Sequence, residues 1–484
     1  MIKDARKDLE DIRANESRRS KQIMATKHAL QFHLMPPVGW LNDPNGLCEC
    51  DGVFHIFFQY SPKNANGGEK YWGHYTTKDF IEYEYTGPFM SPDNELDRDG
   101  VYSGSALAEN GEMIIYYTGN VKEDGDHDYT YSGRLSNTVL VRTKDGSWTD
   151  EKMPVLVNRD YPEGLSCHIR DPKVFRDNSG YKMILGARTR DDVGCALIYS
   201  SKDKLSWSFV SFINSKNTFG FMWECPDIIT LEDQHFLSIS PQGVEKEEFR
   251  YQNVYQSGYF KLIADSYEID DGVPFSEWDM GFDFYAPQTF KDSKGRQILI
   301  GWMGIPDADY TNEPTVKDGW QHTLTMAREL YIAEDGKIAQ RPIAEYEALT
   351  DKRLEVKENS CEFEGPAKII CEGTGQSDFC IRINQSLSIS YDAGQGVMAL
   401  KFDEEGKDNA NAAQGYGRTI RKAKAGKVTG LTIYLDNSAV EIYTDDGKTV
   451  LSSRYYCDGK KRQIDLSGVK QAEVYSLKAF KINS

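Results

Sequence analysis

Trp40-Leu41-Asn42-Asp43-Pro44-Asn45-Gly46 runs into an apolar segment, turns at Asp51-Gly52 and returns as Val53-Phe54-His55-Ile56-Phe57-Phe58. This unit recurs four more times. Apolar strands are centred near Phe54, Ile114, Met183, Phe236 and Ile298, at intervals of 60, 69, 53 and 62 residues. Each follows a polar turn: Asp51-Gly52, Asn110-Gly111, Asn178-Ser179-Gly180, Glu232-Asp233-Gln234 and Ser293-Lys294-Gly295. Each turn follows a short polar motif, beginning near Asp43, Ser103, Asp171, Glu224 and Tyr285. A unit this small cannot bury its own faces, so five copies predict a radial, five-bladed β-propeller. The alternative is a non-repeating β-sandwich whose hairpins are alike by chance.

Outward from the repeat the chain changes character at both ends. Ile2, Ala5, Leu9 and Ile12, with mixed charge between them, predict one amphipathic helix within residues 2–24, lying on a larger body. All eight tryptophans fall between Trp40 and Trp320. Beyond about Leu354 the chain alternates, as in Leu431-Thr432-Ile433-Tyr434-Leu435 and Ala439-Val440-Glu441-Ile442-Tyr443, joined by Asp436-Asn437-Ser438. That is hairpin chemistry and predicts a C-terminal β-sandwich. The expected organisation is all-β: a helical extension over 1–30, the propeller over 31–350 and the sandwich over 351–484. Arg418, Arg421 and Lys422 are expected on a solvated face.

Composition narrows the function. The chain has 484 residues, 39% hydrophobic and 27% charged, with a net charge of −18. That is globular, and so acidic a surface offers no general footprint for nucleic acid or an anionic membrane. No apolar run approaches the roughly 18 residues of a bilayer span. The charged start Met1-Ile2-Lys3-Asp4 lacks the apolar core of a secretory signal. Nine scattered cysteines, an odd number, are expected as reduced thiols in a cytoplasmic protein. Cys48 and Cys50 share a strand face but have no CxxC partner, which weighs against zinc.

The repeat also has a chemical consequence. Equivalent positions in propeller blades reach the same depth of a central funnel, so Asp43, Asp171 and Glu224 would converge from units one, three and four, with Ser103 and Tyr285 from the others. Singly each motif is bland: Asn-Asp-Pro-Asn-Gly makes a good turn, and Arg170-Asp171 can be a local ion pair, although neighbours on a strand face opposite ways. Glu224 lies among Met222-Trp223 and Cys225-Pro226, and an apolar setting suits a general acid that must hold its proton. Together, carboxylates of different environment in an aromatic funnel are the machinery of glycoside cleavage. Trp40, Gln59, Trp72, Tyr102, Ser103, Trp223, Tyr285 and Trp302 would supply platforms and polar contacts for a sugar, and Asn42 would fix a hydroxyl.

These stretches resemble glycoside hydrolase family 32, the invertases and β-fructofuranosidases. WLNDPNG (40–46), FFQY (57–60), WGH (72–74), YSGSAL (102–107), RDPKVF (170–175), WECPD (223–227), GFDFYAPQTF (281–290) and GWMG (301–304) match its motifs in order, and the likeness spans 33–342 and continues faintly beyond. The resemblance implies a five-bladed propeller with a C-terminal sandwich, and retaining hydrolysis of the β-fructofuranoside of sucrose or sucrose-6-phosphate. It implies Asp43 as nucleophile, Asp171 as transition-state stabiliser and Glu224 as acid/base. Trp40, Leu41, Asn42, Gln59, Tyr102, Ser103 and Arg170 would bind substrate, with no metal or organic cofactor. Where the family usually has a sugar-walling Trp this chain has Gly67, and Tyr71 is the nearest substitute. Short fructo-oligosaccharides as substrates, fructosyl transfer, and a propeller lectin that binds without cleaving are the alternatives. A homo-oligomer is compatible with the sequence.

Overall fold

The computed structural model describes residues 4–483 except 148, 150, 265, 374, 385, 404–414 and 458. Five sheets, antiparallel apart from the two edge strands of the first, carry the five motifs, each at the start of the sheet in chain order: Gly39–Cys50, Val101–Glu109, Leu165–Asp177, Met222–Leu231 and Tyr285–Lys291. The predicted apolar strands follow as second strands: Val53–Ser61, Glu112–Lys122, Gly180–Thr189, Gln234–Gln242 and Gln297–Met303. The first strands touch one another in chain order, and the fifth touches the first. Polar side chains tie neighbours together. Gly104 N–H donates to Asn45 Oδ1 (3.0 Å), Ser105 Oγ to the Pro172 carbonyl (2.8 Å), Cys225 N–H to Asp171 Oδ2 (3.0 Å) and Thr289 N–H to Asp227 Oδ2 (2.9 Å). Between sheets lie fully buried large side chains such as Trp72, Trp223 and Trp278, each contributing about 1.5–3 kcal/mol or more by leaving water.

The ring is closed by a late segment. Trp320–Gln321 pairs in parallel with Gly39–Trp40, and Leu324 N–H donates to the Leu34 carbonyl at 2.9 Å. On its other side Gly39 lies tight against the end of the second strand. Its φ is +72°, and a Cβ there would sit 2.3 Å from the Ser61 carbonyl oxygen. The helix, Ala5–Met24, lies against the first sheet through Ile12 and Ile23; Ile2 falls outside the described residues. Its buried Glu16 accepts from the Tyr60 and Tyr85 hydroxyls, both at 2.7 Å.

Two six-stranded sheets follow from Thr350 onward. The whole is mostly β, and its sheets are consistent with a propeller followed by a sandwich. The tail then returns: Lys481–Asn483 pairs in parallel with Glu82–Glu84 at the outer edge of the first sheet. The two parts are joined by buried charge. Arg328 Nη2 donates to Asp279 (3.0 Å), Glu441 (2.7 Å) and Ser452 (2.8 Å), and His33 lies between Asp436 (2.9 Å) and Glu441 (3.2 Å). The predicted hairpin turn is therefore also an anchor, since Asp436 accepts from the Gln31 and Phe32 amides as well.

The solvated face expected of Arg418, Arg421 and Lys422 is absent. Arg418 is 2% exposed and bidentate with Asp283 at 2.7 and 2.8 Å. Arg421 lies over the Phe282 ring, 4.1 Å from its centroid, and the Lys422 amide donates to Gln252. A charge run reads as solvated only when its counter-charge is ignored; here Asp283 stands 135 residues earlier.

Candidate active site

All five first strands are bulged where the motif sits. Ladder pairing is interrupted between Leu41 and Pro44, Tyr102 and Gly104, Arg170 and Lys173, Glu224 and Asp227, and Tyr285 and Gln288. A bulge re-aims side chains that the pleat would otherwise alternate. Asp171 (φ 61°), Cys225 (46°) and Ala286 (46°) take the left-handed region, a local strain of about 1–3 kcal/mol each that the surrounding ladders hold in place. This explains how Arg170 Nε comes within 3.9 Å of Asp171 Oδ2 although the residues are adjacent on a strand. It also corrects the register. Aligned on Pro44, Pro172, Pro226 and Pro287, Cys225 and Ala286 stand where Asp43 and Asp171 do, while Glu224 and Tyr285 stand with Asn42 and Arg170.

Asp43 Oδ2 accepts from Ser103 Oγ, and its Oδ1 accepts from Asn42 Nδ2 at 3.1 Å. Asn42 is held from both sides. Its Oδ1 accepts from Trp40 Nε1 (2.9 Å) and Lys70 Nζ (3.0 Å), and its Nδ2 donates to Gln59. Desolvation pushes the Asp43 carboxyl above its ordinary value. The Ser103 and Asn42 bonds oppose that, Glu224 adds to it and Lys70 opposes it.

Asp171 is buried. Its amide donates to Thr118 Oγ1 at 2.8 Å, and its Oδ2 accepts from the Cys225 amide. Burial pushes it up to about 7, against the pull of Arg170 and with the repulsion of Glu224 and Asp43. The Cys225 thiol lies 3.8 Å from Asp43 and 3.7 Å from Asp171.

Glu224 is not in the apolar setting its neighbours suggest. Trp223 points into the core, fully buried, and the Glu224 carboxylate is ringed by donors. Oε1 accepts from Arg170 Nε (3.0 Å) and Nη2 (2.6 Å), and Oε2 from Gln242 Nε2 (2.7 Å) and the Tyr285 hydroxyl (2.7 Å). Arg170 thus serves Glu224 more closely than its neighbour Asp171, and its Nη1 donates to His168 Nδ1 at 2.6 Å. Gln242, His168 and Lys70 were missed by sequence reasoning. Gln242 had a findable signal, since it lies diagonally across the hairpin from Glu224, two positions beyond its partner Ser240.

The structure brings Asp43, Asp171, Glu224, Asn42, Gln59, Ser103 and Arg170 into one hydrogen-bonded cluster, with Trp40 and Tyr102 half-buried beside it. Leu41 is not among them: it is fully buried in the core. Trp72 and Trp223 are likewise core, and Trp302 is 3% exposed behind Trp40. Gly67 lies against the Trp40 indole, where a Cβ would touch the ring at 3.6 Å. Tyr71 does not replace the missing wall. Its hydroxyl turns outward to Asp8 and Glu69, both at 2.7 Å. Among the described residues, no group of three or more His, Cys, Asp or Glu is placed to hold a metal.

Three converging carboxylates, one bridged by a guanidinium to the other two's pocket, on a fold of this kind, define a hydrolase of glycosidic bonds. The chain belongs to glycosyl hydrolase family 32: the family's N-terminal domain matches residues 33–342 and its C-terminal domain residues 335–483. It is 34% identical to the sucrose-6-phosphate hydrolase of Bacillus subtilis over 480 residues, covering 96% of each chain. It is 34% identical to the raffinose invertase of Escherichia coli, covering 90% of this chain and 91% of that one. Among solved structures, the GH32 β-fructofuranosidase of Bombyx mori superposes with a TM-score of 0.85 at 27% identity, covering 99% and 100% of the two chains. The sucrose-6-phosphate hydrolase of Lactobacillus gasseri superposes with a TM-score of 0.82 at 25% identity, covering 97% of each.

Proposed function

We propose that this chain is a retaining β-fructofuranosidase that hydrolyses sucrose or sucrose-6-phosphate to fructose and glucose or glucose-6-phosphate. The observation that carries the reading is the cluster itself. Asp43 is fixed by Ser103 and Asn42 on one side, and Glu224 by Arg170, Gln242 and Tyr285 on the other. The names of the relatives support the substrate class. We read the five motif-bearing sheets as five propeller blades within residues 31–350, with the sandwich over 351–484 and the protein placed in the cytoplasm.

In the first step Asp43 attacks the fructosyl C2. The C2–O bond to glucose breaks, and its electron pair takes a proton from Glu224, releasing the glucose unit. In the second, the Glu224 carboxylate removes a proton from water, whose oxygen attacks C2 and frees Asp43. The four donors around Glu224 receive its charge after the first step. Asp171 faces fructose hydroxyls, and its carboxylate, with Arg170 beside it, balances the positive charge that develops on the ring. No step calls on a metal or organic cofactor.

The test is a product assay with sucrose, sucrose-6-phosphate and inulin-type oligomers, with the anomer of released fructose followed by NMR. Release of β-fructose first, from either sucrose substrate, is the expected result. Release of the opposite anomer contradicts the retaining mechanism, and hydrolysis of the oligomers alone contradicts the substrate.

A further inference from the structure

A phosphate monoester carried into this site must overcome a protein of net charge −18, so it needs local cations that are not already neutralised. Two neighbouring guanidinium groups are paired. Arg170 is held by Glu224, and Arg188 by Asp192 at 2.7 Å. Arg134 differs. It opens the strand Arg134–Thr143 of the second sheet, half-buried. Among the described residues it has no acidic partner, and its Nε is buried without a hydrogen-bond acceptor. Ser136, two residues on and on the same strand face, donates from Oγ to the Cys167 carbonyl at 2.9 Å, beside His168, and Arg170 and Tyr102 act on Arg134 electrostatically.

His168 completes the arrangement. Its Nδ1 accepts from Arg170 Nη1, so a neutral ring carries its proton on Nε2. Burial and then Arg170, Arg134 and Arg188 drive the imidazole down to about 2. It is thus a neutral donor set among three arginines, a setting that suits an anion better than a cation. Arg170 joins this cluster directly to Glu224, the group that hands its proton to the departing glucose. The cluster therefore lies on the leaving-group side. Lys70, another cation without a carboxylate ion pair among the described residues, bonds Asn42 beside Asp43 and belongs to the fructosyl side.

Resting on the fructofuranosidase reading above, we infer that Arg134, with His168 beside it, forms a phosphate subsite for the leaving group and so selects sucrose-6-phosphate over sucrose. Arg134 supplies the charge and a fork of donors, His168 Nε2–H a further donor, and Arg188 a long-range field.

The experiment compares kcat/KM for sucrose-6-phosphate and for sucrose in wild type, Arg134→Met and Arg134→Lys, together with inhibition by glucose-6-phosphate. In Arg134→Met the ratio of the two kcat/KM values is expected to fall by roughly 10- to 100-fold, the worth of a charge-assisted bond. The loss should appear mainly in KM, and glucose-6-phosphate should inhibit correspondingly less. Arg134→Lys should fall between. A ratio within about threefold of wild type in both variants, with glucose-6-phosphate inhibition unmoved, overturns the subsite. Failure of the wild type to cleave either substrate contradicts the fructofuranosidase reading instead. Should Arg134→Met not fold, Arg134→Lys together with the wild-type inhibition ratio of glucose-6-phosphate to glucose decides: a ratio near one refutes the subsite.

Discussion

At the residue scale the roles of the carboxylates follow from who donates to them. In the proposed mechanism Glu224 gives a proton and later takes one, and its four donors would stabilise the charge it acquires between the two steps. In Glu224→Ala, sucrose turnover is expected to fall by about 10²–10⁴-fold, the usual share of a general acid. An aryl fructoside, whose leaving group departs unaided, should lose far less in the first step. Azide should then restore the second by attacking the trapped fructosyl-enzyme in place of activated water. Equal losses on both substrates, with no azide rescue, would move the acid role to another carboxylate. Asp171, pushed up to about 7, would be the next examined.

At the element scale the site depends on bulges that hold non-glycine residues at positive φ. Ala286 (φ 46°) fixes the direction of Tyr285, which donates to Glu224. A β-branched side chain tolerates that conformation poorly. Ala286→Val is therefore expected to lower stability by about 1–3 kcal/mol and to reduce kcat more than it raises KM. Urea unfolding and steady-state kinetics check this; an unchanged midpoint and kcat would mean the bulge is not strained. The same bulges mark the limit of what the sequence shows. Apolar strands and their turns are legible because hairpins are local, and Asp43 and Asp171 stand out as acids beside prolines, with Glu224 one residue further from its own. The one-residue offset of Glu224 relative to Asp43 is hidden, because period-2 reasoning cannot count a residue that leaves the ladder. His168 and Arg134 lie near strand starts, where nothing local marks them, and Gln242 shows only through its diagonal place across the hairpin from Glu224.

At the scale of the whole molecule, two parts that read as separate in sequence share one buried ionic seam. Arg328 and His33 both contact Glu441. Burial alone would raise Glu441, but Arg328, His33 and Tyr443 together hold it down to about 2. A carboxyl so lowered contributes stability above its unfolded value and loses it as pH falls from about 4.5 towards 2. His33 is raised by Asp436 and Glu441 despite burial; its contribution has the opposite sign, present below its unfolded value and lost as pH rises through its folded one. Glu441→Gln leaves Arg328 and His33 less compensated and should cost roughly 3–5 kcal/mol at neutral pH. The gap to wild type should narrow as pH falls below about 4.5, as thermal unfolding across pH will show. A gap constant down to pH 2 would contradict the seam's role. Arg418 teaches the same lesson, since its partner Asp283 lies across the domain boundary, where composition gives no sign of it.

The central claim is that Asp43 is the nucleophile of a fructoside hydrolase, and the most direct test is fructose release by wild type and Asp43→Asn from sucrose and sucrose-6-phosphate. The account predicts turnover by the wild type and a loss of several orders of magnitude in Asp43→Asn, with the same thermal midpoint to within a few degrees. More than about a tenth of wild-type kcat in Asp43→Asn would contradict it, because a missing covalent nucleophile cannot leave so much rate behind.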